Sequence, residues 1–189
     1  MMRTLSRRHA LWLLTVLPSA CSSPNPTLYT LAVVPGYTHR GAPRRIEVRA
    51  ISLPRYLDRS AIVRSTEGFR LDVMGNDWWG EPLDAMMGRV LVQELLQRLP
   101  GSVVFPENGA ISSAPDASVE VNVQRFDTDA SGAVVLSAVI AVLREGETVA
   151  SRPVGLRVMP TAPDTGGLVA AMSAATGQLA DVIAAMLAR

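Results

Sequence analysis

Val119-Glu120-Val121-Asn122-Val123-Gln124 alternates apolar and polar side chains without interruption, the signature of a strand with one face buried and the other wet. The chain turns within Asp127 to Gly132 and returns as Val134 to Leu143, which is apolar on both faces and predicts a central, well-covered strand. Glu145-Gly146 turns it again, and Thr148 to Val158 predicts a third strand. Pro153 places that strand at an edge or a bulge, because proline donates no ladder hydrogen bond. A three-strand meander therefore forms the centre of the domain.

Helical patterns lie on either side of it. From Pro82 to Leu99, Leu83, Met86, Met87, Val90, Leu91, Leu95 and Leu99 recur at three- and four-residue spacings and make one apolar stripe. Pro82 suits the first helical turn, Glu81 and Asp84 complement the helix dipole, and Pro100-Gly101 stops the helix. Glu94 and Arg98 stand four apart in the favourable order for a pair along the helix. After the meander, Asp164 or Thr165 can cap a final helix whose face carries Leu168, Met172, Ala175, Leu179, Val182 and Met186. Upstream, Leu28 to Val34, Ile46 to Ala50, Ala61 to Ser65 and Phe69 to Val73 predict short strands, the last two joined by the three-residue loop Thr66-Glu67-Gly68. The expected fold is α+β: a single mixed, mainly antiparallel sheet with two main helices packed on one face.

The first twenty residues have a different character. Arg3, Arg7 and Arg8 precede the apolar run Ala10 to Leu17, and Pro18-Ser19-Ala20 leads to Cys21, the only cysteine. This is the order of a secretory signal, and the run is too short for a spanning helix of about 20 apolar residues. Small residues directly before a lone cysteine resemble a lipobox, the site at which a lipoprotein is cut and its cysteine diacylated; Pro18 stands where such sites prefer Leu or Val. Residues 1–20 are expected to be the signal, 21–27 a polar, proline-rich tether behind the lipidated Cys21, and 28–189 the folded domain. Ser6-Arg7-Arg8 resembles a twin-arginine export motif, but an ordinary basic start is the simpler reading. Ser22, where enteric sorting would retain Asp-bearing lipoproteins in the inner membrane, points to the outer membrane.

All 18 basic residues are arginines, against 17 acidic ones. Without the three signal arginines the balance is 18 − 3 = 15 against 17. A near-neutral domain without a basic run offers nucleic acid little to hold. His39 is the only histidine beyond the signal, and no Gly-x-Ser-x-Gly elbow accompanies it. Zinc spacing, phosphate loops and dinucleotide glycine fingerprints are missing from the sequence. Asp127-x-Asp129 reads as solvated turn formers rather than a cation site. These features point to a binding module with no catalytic residue, metal or cofactor. Its candidate contacts are Tyr56, Leu57, Asp58 and Arg59, in a loop after Pro54, and Trp78, Trp79 and Glu81, before the long helix. Of the two tryptophans, one is expected to pack under the helix and the other to stay partly exposed.

The same segments carry a family pattern. Leu53-Pro54-Arg55-Tyr56-Leu57-Asp58-Arg59, Trp78-Trp79-Gly80-Glu81-Pro82-Leu83, the helix positions Val90-Leu91, Leu95 and Leu99-Pro100, the strand Val121-Asn122-Val123-Gln124-Arg125-Phe126-Asp127, and the early Leu28-Tyr29-Thr30-Leu31 occur in order. Together they resemble the PqiC (YmbA) lipoproteins, also called ABC-type transport auxiliary lipoproteins; Trp78 stands where that family usually has arginine. The resemblance implies a non-catalytic accessory lipoprotein on the periplasmic face of the outer membrane. Its implied partner is an MCE-domain protein of an intermembrane lipid transport system, and the resemblance also implies the ability to form a homo-oligomeric ring. The competing expectation is a lipoprotein that assists lipopolysaccharide or outer-membrane protein assembly.

Overall fold

The structure is a computed structural model and describes residues 25–67, 69–110 and 113–189. Cys21 and the expected signal, residues 1–20, lie outside the described residues. The strands are β1 (Thr27–Tyr29), β2 (Arg45–Val48), β3 (Ala61–Ser65), β4 (Leu71–Trp79), β5 (Val103–Pro106), β6 (Ala117–Thr128), β7 (Val134–Arg144) and β8 (Glu147–Val158). The helices are α1 (Leu83–Arg98) and α2 (Thr165–Leu187). The α+β class is as expected, but the strands form two sheets instead of one. Five are ordered β5-β2-β6-β7-β8 and three are ordered β1-β4-β3. The division falls at Pro54. Ser52 still bridges to Asn122 of β6, but a 3₁₀ turn at Arg55–Leu57 then carries the chain off the large sheet. The hairpin that follows pairs with itself and with β1, and meets β6 where the Thr128 hydroxyl donates to the Ser65 carbonyl at 2.7 Å.

The meander is β6, β7 and β8, antiparallel throughout. Its second turn is a two-residue loop with positive φ at both Glu145 (52°) and Gly146 (84°), the twist that matches right-handed strands. β8 pairs only with β7, so Pro153 does sit on an edge strand. β2 pairs in parallel with both β5 and β6, which makes the sheet mixed. Sequence patterning did not mark β5, a four-residue segment that gains its order from β2. β7 departs from the expectation of cover on both faces. Val134, Leu136, Ala138, Ile140 and Val142 are buried, while Val135, Ser137, Val139 and Ala141 between them are only half-buried, because both helices pack on the other side.

α1 and α2 lie against each other, with α2 over β7 and β8 and α1 against β5 and β2. The Asp164 carboxylate caps α2 by accepting from the Gly167 N–H at 2.7 Å. α2 is long and apolar enough by composition to cross a membrane, but most of it is buried inside the fold. Leu168, Met172, Leu179 and Ile183 all belong to the core. The β3–β4 connection is longer than three residues: Ser65 faces Leu71, and the Thr66 N–H donates to the Arg70 carbonyl across the turn.

An extended strap between β1 and β2 crosses the seam of the two helices. Helix side chains replace a ladder partner: Leu31 N–H donates to Met86 Sδ, Ala32 N–H to Ser173 Oγ and Val34 N–H to Glu94 Oε1, at 2.9–3.0 Å. Arg98, fully buried, donates to Asp181 at 2.6 Å and to the carbonyls of Val34 and Gly177 at 3.0 and 3.1 Å. The approach demands glycine: a Cβ on Gly36 would stand 2.2 Å from the Arg98 guanidinium. Glu94 and Arg98 are thus buried, where a surface pair along α1 was expected. The guanidinium pairs with the Asp181 carboxylate and donates to the Glu94 main-chain carbonyl at 3.3 Å, while Glu94 Oε2 is buried without a partner. Burial pushes the Glu94 carboxyl up to about 7, against the opposing pull of the Val34 N–H and Arg98.

Candidate functional site

Pro54 fixes the approach to the 3₁₀ turn, where Leu57 N–H donates to the Pro54 carbonyl at 2.9 Å and Asp58 N–H to that of Arg55 at 3.2 Å. In so tight a turn successive side chains diverge. Leu57 enters the core at 3% exposure, whereas Arg55, Asp58 and Arg59 face solvent. The next segment returns alongside β4, because Trp79 N–H donates to the Ser60 carbonyl at 2.7 Å. Gly80-Glu81 then leads into α1, which Pro82 opens without a side-chain cap.

The two sequence segments therefore meet. Leu57, Asp58 and Arg59 line one cleft of about 470 Å³ with Trp79 and Glu81. The same cleft is lined by Leu53, Arg55, Ser60 and Asp84, which the sequence reading had not selected as contacts. Arg55 was legible as the charged neighbour of Tyr56 within the motif, but Asp84 had been given only a helix-dipole role. Glu81 is held by the Arg89 guanidinium, with Nε at 3.0 Å. Arg55, Asp58 and Arg59 make no side-chain hydrogen bond or ion pair with another described residue. Their charges stay available at the rim, above a floor of Leu57, Trp79 and Leu83.

Two of the candidate contacts are placed elsewhere. The Tyr56 hydroxyl donates to Asp127 Oδ2 at 2.8 Å, and Asp127 Oδ1 accepts from Arg125 Nε at 2.7 Å. Asp127 is only 4% exposed, and burial followed by the Asp127 carboxylate pushes the phenol above its ordinary value. Two motifs far apart in sequence, around Tyr56 and around Arg125-Phe126-Asp127, are thus one physical tie between the 3₁₀ turn and β6. Trp78 points away from the cleft, since neighbours in a strand face opposite sides. It is 39% exposed, while Trp79 is 6% exposed and packed in the core.

The remaining polar groups are similarly committed. Asp129 accepts from Ser131 Oγ, Ser131 N–H and Arg157, which hold its carboxyl well below the usual range, the Ser131 hydroxyl foremost. With Asp127 tied to Tyr56 and Arg125, this pair has turn and tie partners of its own. His39 donates its backbone N–H to the Arg98 carbonyl at the end of α1. Among the described residues no three His, Cys, Asp or Glu side chains converge as metal ligands would. A second cleft, of about 500 Å³, opens between the β6–β7 turn and the start of α2, with Met74, Asp129, Met159 and Leu168 in its walls.

The architecture is shared with solved proteins. The crystal structure of an uncharacterized protein aligns over 86% of this chain and 99% of its own, with 24% identity and a TM-score of 0.73. A crystal structure from Xanthomonas campestris aligns over 85% and 94%, with 20% identity and a TM-score of 0.72. No curated protein matches. At these identities the likeness shows the fold alone. The family model described as the ABC-type transport auxiliary lipoprotein component matches residues 29–184, from the end of β1 to the last turns of α2 and through both walls of the first cleft. The chain belongs to the family of ABC-type transport auxiliary lipoprotein components.

Proposed function

We propose that this lipoprotein is the non-catalytic periplasmic subunit of an MCE-type intermembrane lipid transport system, anchored in the outer membrane through Cys21. In this reading the cleft between Leu57 and Trp79 docks the partner subunit. One observation carries the docking role: the two motif segments, distant in sequence, converge on a cleft whose floor is apolar and whose rim holds Arg55, Asp58 and Arg59 without a side-chain partner among the described residues. A buried apolar floor within a charged rim is the anatomy of a specific protein contact. The rim charges set partner choice and encounter rate, and the floor excludes water. The family supplies the transport setting.

The test is affinity purification of C-terminally tagged protein from gently solubilised membranes, followed by mass spectrometry. Co-purification of an MCE-domain protein, lost in Arg59→Glu while the protein still folds and reaches the membrane, is the expected result. Recovery of an outer-membrane assembly barrel without any MCE protein would replace this reading with the assembly one. Recovery of the MCE protein undiminished by Arg59→Glu and by Asp58→Arg would remove the cleft from the contact.

A further inference from the structure

The small sheet leaves a row of apolar side chains exposed along β1 and β4, beside Val63 and Ser65 of β3, which are buried. β1 pairs in parallel with the end of β4, setting Leu28 beside Trp78. Leu28 is 63% exposed and Trp78 39%, while their neighbours Tyr29 and Trp79 turn inward. Further along β4, Leu71 and Val73 are 46% and 44% exposed, and Phe69 just before it is 88% exposed. The exposure pattern along β4 skips a beat at Gly75-Asn76, both exposed, where the register with β3 shifts. The irregularity offsets the alternation along β4; Ala61, Val63 and Ser65, on one side of β3, pair with Trp78, Val73 and Leu71, so those three share a side. The charged residues of the sheet lie on the other side: Asp72 pairs with Arg64, and Asp77 accepts from the Thr165 hydroxyl at 2.7 Å. Even the indole N–H is satisfied within the protein, by the Gly75 carbonyl at 3.1 Å.

We infer that this face of the three-stranded sheet, centred on Leu28 and Trp78, rests on the lipid surface in which Cys21 is anchored. The inference rests on the reading of Cys21 as the lipidated residue. Chain length selects the occupant. Thr27 is six residues beyond Cys21, and six residues reach at most about 20 Å, whereas a domain of this length is about 40 Å across. The anchor therefore holds the domain against the bilayer by the strand that carries Leu28. Exposed apolar side chains on the side of β4 away from Asp72 and Asp77 suit that contact, and tryptophan suits the headgroup boundary. The acyl chains supply attachment, and the patch supplies orientation. Trp78 and Trp79 face opposite sides of β4, so seating Trp78 on lipid turns the Trp79 side, with its cleft, toward the periplasm.

The mature chain reports on this directly, because Trp78 and Trp79 are its only tryptophans once Trp12 leaves with the signal. The lipidated protein is reconstituted into phosphatidylethanolamine–phosphatidylglycerol vesicles with acyl chains brominated near the headgroup. Bromine quenches only by contact, so Trp78 loses most of its emission while buried Trp79 keeps its own, and Trp78→Phe abolishes the quenching. Leu28→Asp with Val73→Asp, both exposed, leaves the protein anchored but restores Trp78 emission. Vesicle-bound protein, acylated at Cys21 by mass spectrometry, in which Trp78 remains unquenched and open to iodide would overturn the inference and leave the anchor intact. Shielding of Trp78 only when a protein partner is added would also overturn it. A Cys21 without lipid, in protein that fails to float with the vesicles, would overturn the anchor and this inference together.

Discussion

On the five-stranded sheet, Val134, Leu136 and Ile140 are wholly buried beneath α2, whereas on the three-stranded sheet Leu71, Val73 and Trp78 keep 39–46% of their surface exposed. The two regions use similar residues to different ends. Apolar side chains that the helices cover contribute to folding at about 25 cal/mol for each Å² removed from water. Those on the small sheet contribute little until something outside the chain covers them. The first region sets stability and the second presents surface, and the strap, the 3₁₀ turn and the Tyr56–Asp127 tie join them.

If that division holds, substitutions in the closed region should cost stability, and substitutions on the open face should not. The largest effect is expected at Arg98. Arg98→Met leaves Asp181 without its cation and strips donors from the strap and helix carbonyls, so urea unfolding should show a loss of about 3–5 kcal/mol. The tryptophans make the sharpest paired test. Trp79→Ala should lose about 3 kcal/mol or more as a core truncation, while Trp78→Ala should stay within about 1 kcal/mol. Equal losses would mean that the small sheet is as tightly packed as the large one.

Glu94 tests the seam by pH. Its carboxyl lies near 7 in the folded protein and close to 4.5 when unfolded, so the folded state binds the extra proton. Stability from this group is therefore full below about pH 4.5 and is lost as pH rises through 7. Thermal melts of Glu94→Gln should lose that decline between about pH 4.5 and 7, a difference of up to about 3 kcal/mol. A smaller effect than at Glu94 is expected at Tyr56→Phe, which removes one hydrogen bond to a carboxylate that keeps Arg125. About 1–2 kcal/mol should be lost, with partner recovery unchanged if Tyr56 acts only as a tie.

Much of this was legible because local pattern and tertiary role agreed. The alternation from Val119, the stripe from Leu83 to Leu95 and the cap at Asp164 each mark an element whose buried face is fixed by its own period. The candidate site was half legible. Motif segments gave Leu57, Asp58, Arg59, Trp79 and Glu81, but a list of residues cannot say that Tyr56 turns inward to Asp127 or that Trp78 faces the other way. Those directions depend on a 3₁₀ turn and a bulge, which have no strong signature in composition.

Sequence by itself determined the meander with its edge strand at Pro153 and the two apolar helices, because periodicity and turn chemistry act over a few neighbouring residues. Only the tertiary structure decided that the strands part into two sheets, that β5 is a strand, and that Glu94 and Arg98 are buried. Each depends on partners far away in the chain: β2 for β5, and α2 with the strap for Glu94 and Arg98. Burial and pairing across such distances are set by the packing of the whole domain, and a local pattern of charge or hydrophobicity carries no record of it.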